Sequence, residues 1–323
     1  MKHSPSYRPL LLLLPIFFVL IVSGCTIPGT DIEIPFVSDL FGTPVEQDTT
    51  DVVVISSLRA IPDTVVPGQT FRIVAYVQNK GSKTLENDNK VVVKLYDYCS
   101  GLFELLNNNK NKQGPSAAEY SIEKLLPYET KEISWTLKAN SGIKLKTTCP
   151  KDGMKVSVTY PYSSTSMSTI TFINPAEYQR RIEQGTSKGV TSAISAGDGP
   201  VRAYFTVEDE QPIPTDSGTT VLALNIENKG SGYPVTRTTQ GHDYQITLDS
   251  FDIGEMEWKN NDCEIKNGLT TKLIQNKRKF VCEANISKYS GDIGLESTIN
   301  MKTEISYAYQ FTKSARVTVE PKI

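Results

Sequence analysis

The chain has 323 residues, with 34 lysines and arginines against 36 aspartates and glutamates, and a net charge of −2. This near balance argues against a nucleic-acid partner, because proteins that bind nucleic acid carry a basic surplus on one face. Hydrophobic residues at 38% and charged residues at 22% are typical of a folded protein rather than a disordered one. The chain has only two histidines, His3 and His242, which disfavours a histidine-based triad or a multi-histidine zinc centre. We expect neither a metal nor a cofactor.

The N-terminus has the pattern of a secretory signal. Residues 1–9 are basic, and the apolar run at residues 10–22 is shorter than the ~20 residues that a membrane-spanning helix needs. Residues 22–25, Val-Ser-Gly-Cys, resemble the lipobox of prokaryotic lipoproteins. The resemblance implies that residues 1–24 are removed and that Cys25 carries a diacylglyceryl group. The alternative is an uncleaved anchor, and both interpretations place the remaining chain outside the cytoplasm, on the outer face of the cytoplasmic membrane.

Residues 25–51 follow the lipobox and are predicted to form a lipid-anchored tether. Prolines and glycines recur along this segment, which favours flexible coil over regular structure. A flexible coil of about 26 residues spans roughly 25–30 Å. The tether would therefore hold the first domain away from the lipid head groups.

The chain from residue 52 to residue 173 has the patterns of β-strands. Phe71, Ile73, Ala75 and Val77 alternate with polar neighbours, which is the period of a half-buried strand. The other predicted strands are residues 52–55, 91–96, 133–137, 154–162 and 168–173.

The second half of the chain repeats the first. Three patterns recur in the same order 145 to 149 residues later: Asn-Lys-Gly-Ser, Ala-Asn, and Met-Lys followed by Tyr-x-Tyr. They begin at residues 79, 139 and 154 and again at residues 228, 284 and 301. This nearly constant spacing indicates a tandem duplication; the alternative is two unrelated sandwiches that share common turn chemistry.

Four cysteines remain after Cys25, and an even number in an exported chain indicates disulfides. The repeat assigns two cysteines to each half, which predicts the pairs Cys99–Cys149 and Cys263–Cys282. Zinc is the rival interpretation, although the spacings contain no CxxC pattern and no nearby histidine.

Residues 174–199 join the two copies. Asn174 can cap a short helix, Pro175 suits its first turn, and Gly185 ends it. The serine- and glycine-rich remainder predicts a flexible linker. The chain is thus expected to be all-β, with two tandem immunoglobulin-like β-sandwiches at residues 52–173 and 200–323.

Several turn and strand patterns of the first domain also resemble a known family. They are Pro-Gly-Gln at 67–69, Asn-Lys-Gly-Ser at 79–82, Leu-Pro-Tyr-Glu-Thr at 126–130 and Ile-Ser-Trp-Thr-Leu at 133–137. Together they resemble the CARDB-type, adhesion-related domains of archaeal and bacterial surface proteins. The resemblance implies an immunoglobulin-like fold and a location at the cell surface, and it implies no ligand.

Few residues point to chemistry. The carboxylates at residues 208–210 and 86–89 would suit either a calcium site on a loop or an ordinary solvated loop. Asn285 begins the sequon Asn-Ile-Ser, which permits N-glycosylation. His242 is predicted to be a surface histidine without a catalytic role.

The aromatic residues allow two interpretations. Trp135 is expected in the core, and Trp258 either packs or contacts a partner. The Tyr160/Tyr162 and Tyr307/Tyr309 pairs either pack inside the sandwich or form an exposed strip, and packing is favoured because both copies keep the pair.

These observations predict a lipid-anchored, extracytoplasmic, non-catalytic protein of the cell surface that serves in binding, adhesion or structure. Its expected contacts are the membrane, through the anchor, and a surface protein or glycan. The first alternative is a subunit of a surface layer, filament or envelope complex that pairs through an edge strand. A small-molecule receptor or an enzyme accessory domain is less favoured.

Overall fold

The computed structural model describes residues 50–108, 117–149, 153–235, 245–289 and 293–321, without the side chains of 87–89. The predicted signal segment, Cys25, nearly all of the tether and His242 lie outside the described residues. None of the described helices is long and apolar enough to cross a membrane. The described residues all lie in one compact unit, Asp48–Ile323.

The structure is predominantly β, as predicted, with a single α-helix among the described residues. The strands of the first half are β1 Val53–Ile61, β2 Thr64–Val65, β3 Thr70–Asn79, β4 Leu85–Asp97, β5 Phe103–Asn108, β6 Glu119–Leu125, β7 Thr130–Ala139, β8 Thr147–Thr148 and β9 Met154–Ile173. Helix α1 is Pro175–Glu183, and β10 is Ile194–Ser195.

The second half has ten described strands in a similar order. Its strands are β11 Val201–Val207, β12 Ile213–Pro214, β13 Thr219–Asn228, β14 Tyr233–Val235, β15 Ile246–Asp252, β16 Glu257–Trp258, β17 Leu269–Thr271, β18 Lys277–Asn285, β19 Glu296–Ala315 and β20 Thr318–Val319. Short 3-10 turns occupy Thr215–Ser217 and Ser287–Tyr289.

The two longest strands, β9 and β19, join the two halves. Each has 20 residues, and they pair antiparallel along their whole length. Tyr160 lies opposite Tyr309 and Tyr162 lies opposite Tyr307, with the Pro161–Ala308 pair between them. Because the sequence repeat makes Tyr160 equivalent to Tyr307 and Tyr162 to Tyr309, this register gives the strand pair an approximate two-fold symmetry about the Pro161–Ala308 pair.

The sheets follow the same symmetry. A nine-stranded sheet has the main order β17-β15-β19-β9-β4-β6, with β10, β12 and β14 paired at its sides. Two four-stranded sheets have equivalent orders, β1-β3-β7-β5 and β11-β13-β18-β16. Each copy thus has its own small sheet, whereas the large sheet runs through both copies.

The halves also exchange short parallel strands. In the second half, β12 pairs parallel with the end of β9, through Ile213–Phe172. In the first half, β2 pairs parallel with β20, through Thr64–Thr318. Each copy therefore receives a strand partner from the other, and the sheets continue across the boundary that the sequence placed at residues 174–199.

The buried residues of both halves form one continuous apolar cluster. Alternating side chains of the strands build this cluster. Strand β3, for example, buries Phe71, Ile73, Ala75 and Val77, the residues predicted from the sequence. Trp135 is completely buried, as predicted, and its indole N–H donates to the Ala118 carbonyl oxygen at 3.2 Å. That hydrogen bond satisfies the one polar group of an otherwise apolar side chain.

Helix α1 forms where the sequence predicts it. The Asn174 side-chain oxygen accepts a hydrogen bond from the Ala176 N–H at 2.9 Å, and Pro175 occupies the first turn. The serine- and glycine-rich segment after the helix differs from the flexible linker expected there. Strand β10 pairs with β9, and the Val190 N–H donates to the Gln211 carbonyl oxygen, so backbone hydrogen bonds attach this segment to the sheet.

Glu177 connects the helix to β19. Its side chain is only 6% exposed and accepts hydrogen bonds from Arg180 Nε at 2.7 Å and from Arg181 Nε at 2.8 Å. Arg181 also binds Glu296, the first residue of β19, at 2.7 Å. The hydrogen bonds from Arg180 and then Arg181 lower the pKa of the Glu177 carboxyl from 4.5 to about 2.

We predict that Glu177→Gln destabilises the protein at pH 7 and has little effect near pH 2. The lowered pKa means that the ionised carboxylate stabilises the fold fully above pH 4.5, and that this contribution is lost as the pH falls through about 2. Urea denaturation of both proteins across this range measures the difference. Glu183→Gln, on the same helix, is the matched control, and an equal effect of Glu177→Gln at pH 7 and pH 2 would contradict the assignment.

Candidate functional site

The centre of the molecule is a cluster of four tyrosines from β9 and β19. Tyr160, Tyr162, Tyr307 and Tyr309 are all buried, which agrees with the packing interpretation. The rings of Tyr160 and Tyr309 are 5.8 Å apart, and those of Tyr162 and Tyr307 are 6.2 Å apart. Both pairs have tilted geometry within the range of favourable aromatic contacts.

An aspartate at the start of each copy contacts the Asn-Lys-Gly-Ser turn of the other copy. Asp51 accepts hydrogen bonds from the Ser231 hydroxyl and from the Ser231 N–H, at 3.1 Å to its nearer oxygen. Asp198 accepts from the Ser82 hydroxyl at 3.0 Å and lies 3.6 Å from Lys83 Nζ. We call these two equivalent contacts the aspartate clasps.

The Asp51 clasp explains the glycine of the second turn. A Cβ atom on Gly230 would lie 2.2 Å from both Asp51 Oδ1 and the Tyr309 hydroxyl, so only glycine permits the approach. The Tyr309 hydroxyl donates to Asn228 Oδ1 at 3.0 Å and accepts from the Gly232 N–H at 2.8 Å. The repeated Asn-Lys-Gly-Ser pattern therefore belongs to the contact between the copies.

These tyrosines are suited to packing rather than to proton transfer. Burial, and then the nearby negative charge of Asp51, raise the pKa of the Tyr309 hydroxyl well above its ordinary value. Burial raises the pKa of Tyr307 in the same way. Both hydroxyls stay protonated at physiological pH and hydrogen-bond within the fold.

The sequence interpretation missed both aspartates. It placed Asp51 at the end of the tether, yet that residue is buried at the contact between the copies. The sequence did contain a sign of this contact. Asp51 and Asp198 are 147 residues apart, the same spacing that separates Met154 from Met301. An acidic residue repeated immediately before a predicted first strand could have indicated a shared structural contact.

We predict that Asp51→Ala lowers the free energy of unfolding by about 2–3 kcal/mol, the usual cost of losing hydrogen bonds to a charged group. Asp198→Ala is the matched control, because that side chain is 42% exposed and its contacts are worth under about 1 kcal/mol. Chemical denaturation of the two variants measures the difference. Equal losses, or a larger loss for Asp198→Ala, would show that the two clasps are not distinguished by burial.

Both predicted cysteine pairs lie at disulfide distance. Cys99 and Cys149 have a Cα–Cα separation of 6.0 Å, and Cys263 and Cys282 have one of 5.6 Å. The first pair links the turn before β5 to the end of β8, and the second links the loop after β16 to β18. The bridges thus occupy different positions in the two copies.

Each disulfide borders a surface cleft. The larger cleft, of about 490 Å³, lies where β5 and β7 meet the turns beside Cys99, and we call it the Tyr98 cleft. Its lining residues are Tyr98, Ser100, Phe103, Glu104, Leu105, Lys138, Ala139, Asn140 and Ser141. The smaller cleft, of about 170 Å³, lies in the second copy, where β18 meets the loop after β16 that carries Cys263.

Asn285 and Trp258, the other residues that the sequence suggested as contact or modification sites, do not line either cleft. Asn285 is exposed at the end of β18, and its side-chain oxygen accepts from the Ser287 N–H at 2.9 Å. Trp258 packs against Phe205 and Phe251, with ring centroids 6.3 and 5.9 Å away. It therefore contributes to the core.

The two carboxylate groups considered for calcium form contacts within the protein. Glu208 pairs with Lys279 at 2.9 Å, and Asp209 accepts hydrogen bonds from the Thr220 hydroxyl and the Val221 N–H. Glu86 pairs with Lys124 at 2.9 Å. Within the described residues, no three histidine, cysteine, aspartate or glutamate side chains are grouped as metal ligands would be.

Comparisons with known proteins give no assignment. No protein-family model matches the chain, and no curated protein matches it.

We predict that removing either disulfide destabilises the protein, and that the Cys99–Cys149 bridge matters more. The bridges close loops of 50 and 19 residues. Because each bridge lowers the conformational entropy of the unfolded chain, they should stabilise the folded state by about 4 and about 3 kcal/mol, respectively. Urea denaturation of the Cys99→Ser/Cys149→Ser and Cys263→Ser/Cys282→Ser double variants compares them. A larger loss for the second pair would mean that native contacts around the bridges outweigh loop closure.

Proposed function

We propose that the chain is a lipid-anchored protein of the outer face of the cytoplasmic membrane, where it acts as a non-catalytic binding, adhesion or structural module. The observation that carries this proposal is the placement of the two clefts. Both lie on the four-stranded sheets, away from the strand pair that joins the copies. Such an arrangement suits a rigid body that presents contact surfaces at its periphery.

The strand order agrees in part with an immunoglobulin-like description of each copy. In an immunoglobulin sheet the first, second, fifth and fourth strands are neighbours in that order. With the two-residue strands β2 and β12 left out, the orders β1-β3-β7-β5 and β11-β13-β18-β16 keep the first two strands side by side, but β7 is then the sixth described strand of its copy and β18 the seventh, not the fifth. The CARDB-type resemblance is a separate support, and two of its turn patterns lie immediately before β3 and β7.

The cysteine pairs support the location. Disulfides persist in oxidising compartments and are rare in the cytosol, so two pairs at bonding distance favour export. The lipobox-like residues 22–25 supply the means of attachment in this proposal. With a net charge of −2, the chain has little electrostatic attraction for anionic lipids, so attachment depends on the acyl groups.

The second candidate function is a subunit of a surface layer or filament. Strand β6 favours it, because this seven-residue strand ends the main path of the nine-stranded sheet and, among the described strands, pairs only with β4. However, β6 carries Glu123 and Lys124 toward solvent, and charged residues usually protect an edge from pairing. We therefore place the binding module first.

Mass spectrometry of the protein extracted from native membranes tests the anchor and the compartment together. We expect an intact mass that begins at Cys25 and includes a diacylglyceryl group, with a gain of about four hydrogens on reduction of the two disulfides. Cross-linking of the anchored protein on intact cells then tests contact with surface partners.

A Cys25→Ser variant is the control, because it should remain unlipidated. A wild-type mass that retains residues 1–24, or free thiols at the four later cysteines, would contradict the proposed compartment. Cross-links exclusively to further copies of the chain would favour the surface-layer subunit.

A further inference from the structure

The Tyr98 cleft has features of a ligand site rather than of an incidental surface depression. Its lining includes Phe103 and Leu105, whose side chains are buried in the core, and the exposed Glu104 and Lys138. At about 490 Å³ it falls within the size range of small-molecule sites. The cleft beside the second disulfide is smaller, at about 170 Å³.

The walls of the cleft are held in place. Tyr98 is half-buried and packs against the core, and the neighbouring Cys99 is tied to Cys149. The Leu102 and Phe103 N–H groups both donate to the Cys99 carbonyl oxygen, and the Asn140 N–H donates to the Leu102 carbonyl oxygen. A site fixed in this way binds with less loss of conformational entropy than a flexible loop.

Several polar groups of the cleft are available to a ligand. Glu104 and Lys138 lie opposite each other on β5 and β7. Within the described part of the chain, neither these two side chains nor that of Ser100 forms a hydrogen bond or an ion pair. By contrast, Glu283 in the smaller cleft is already paired with Lys259 at 2.6 Å.

The chemistry of these groups indicates which ligand would fit. Glu104 only accepts hydrogen bonds, Lys138 only donates them, and the hydroxyl groups of Ser100 and Ser141 do both. Asn140 offers its Nδ2 as a donor, because its Oδ1 accepts from the Gly142 N–H at 2.9 Å. One carboxylate and one ammonium balance in charge, which disfavours phosphates and other strongly charged ligands. Sugar hydroxyls both donate and accept, and the C–H face of a sugar ring packs on an aromatic side chain such as Tyr98.

We propose that the Tyr98 cleft is a binding site for a neutral oligosaccharide. Tyr98 provides the aromatic contact, while Glu104, Lys138 and Asn140 bind the hydroxyl groups. The assignment deepens the proposed function and rests on it, because it names a glycan as the surface partner. The second copy, with its smaller cleft and its paired Glu283, is expected not to bind.

The test is titration of the full-length, detergent-solubilised protein with the trimers of N-acetylglucosamine and of mannose, followed by saturation-transfer NMR and calorimetry. We expect at least one trimer to bind with millimolar or stronger affinity. Tyr98→Ala and Glu104→Gln should each weaken binding about tenfold, equivalent to roughly 1.4 kcal/mol.

Two control variants should leave binding unchanged. Tyr128→Ala removes a ring that is 71% exposed outside the cleft, and Glu283→Gln alters the smaller cleft of the second copy. Thermal melting of each variant establishes that it is folded before its affinity is compared.

Absence of binding by both trimers overturns the proposal, and so does binding that Tyr98→Ala and Glu104→Gln leave intact. Capture of a surface protein on intact cells by a chain that binds neither trimer would reject the glycan site and retain the binding function. A chain without lipid at Cys25 would reject the proposed anchoring whatever the sugar result.

Discussion

The antiparallel pairing of β9 with β19 is the constraint on which the rest of the structure depends. A strand pair of 20 residues holds two copies of one sequence pattern in a fixed register. Because side chains alternate between the faces of a sheet, a shift of one residue would move the four tyrosines to the opposite face. The buried tyrosine cluster and the aspartate clasps therefore all specify the same register.

The exchange between the copies makes them interdependent. Each copy accepts a short parallel strand from the other, and Asp51 and Asp198 each cap a turn of the opposite copy. Removing one half would leave the other with an open sheet edge and an exposed tyrosine face, which favours aggregation. The two halves thus lie within one compact unit.

The sequence predicts the local features of this fold well. The period of Phe71 to Val77, the cap at Asn174 and the cysteine pairs all depend on neighbouring residues or on the repeat, and the structure agrees with them. The continuous sheet could not be predicted, because a strand pattern indicates burial and does not name the pairing partner. The same holds for the Tyr98 cleft, whose residues 98–105 and 138–141 become neighbours only when β5 pairs with β7.

The differences between the copies indicate where function resides. The copies agree where they touch each other: the Tyr-x-Tyr pairs, the Asn-Lys-Gly-Ser turns and the preceding aspartates. They differ at the clefts, where β5 has six residues but β16 has two, and where the disulfides occupy unrelated positions. A residue at the central contact must pack against the other copy. A residue at an outer edge can change without disturbing that contact. One cleft can therefore become specialised for a ligand while the other does not. The central strand pair holds the two copies together whether or not the second cleft binds a ligand.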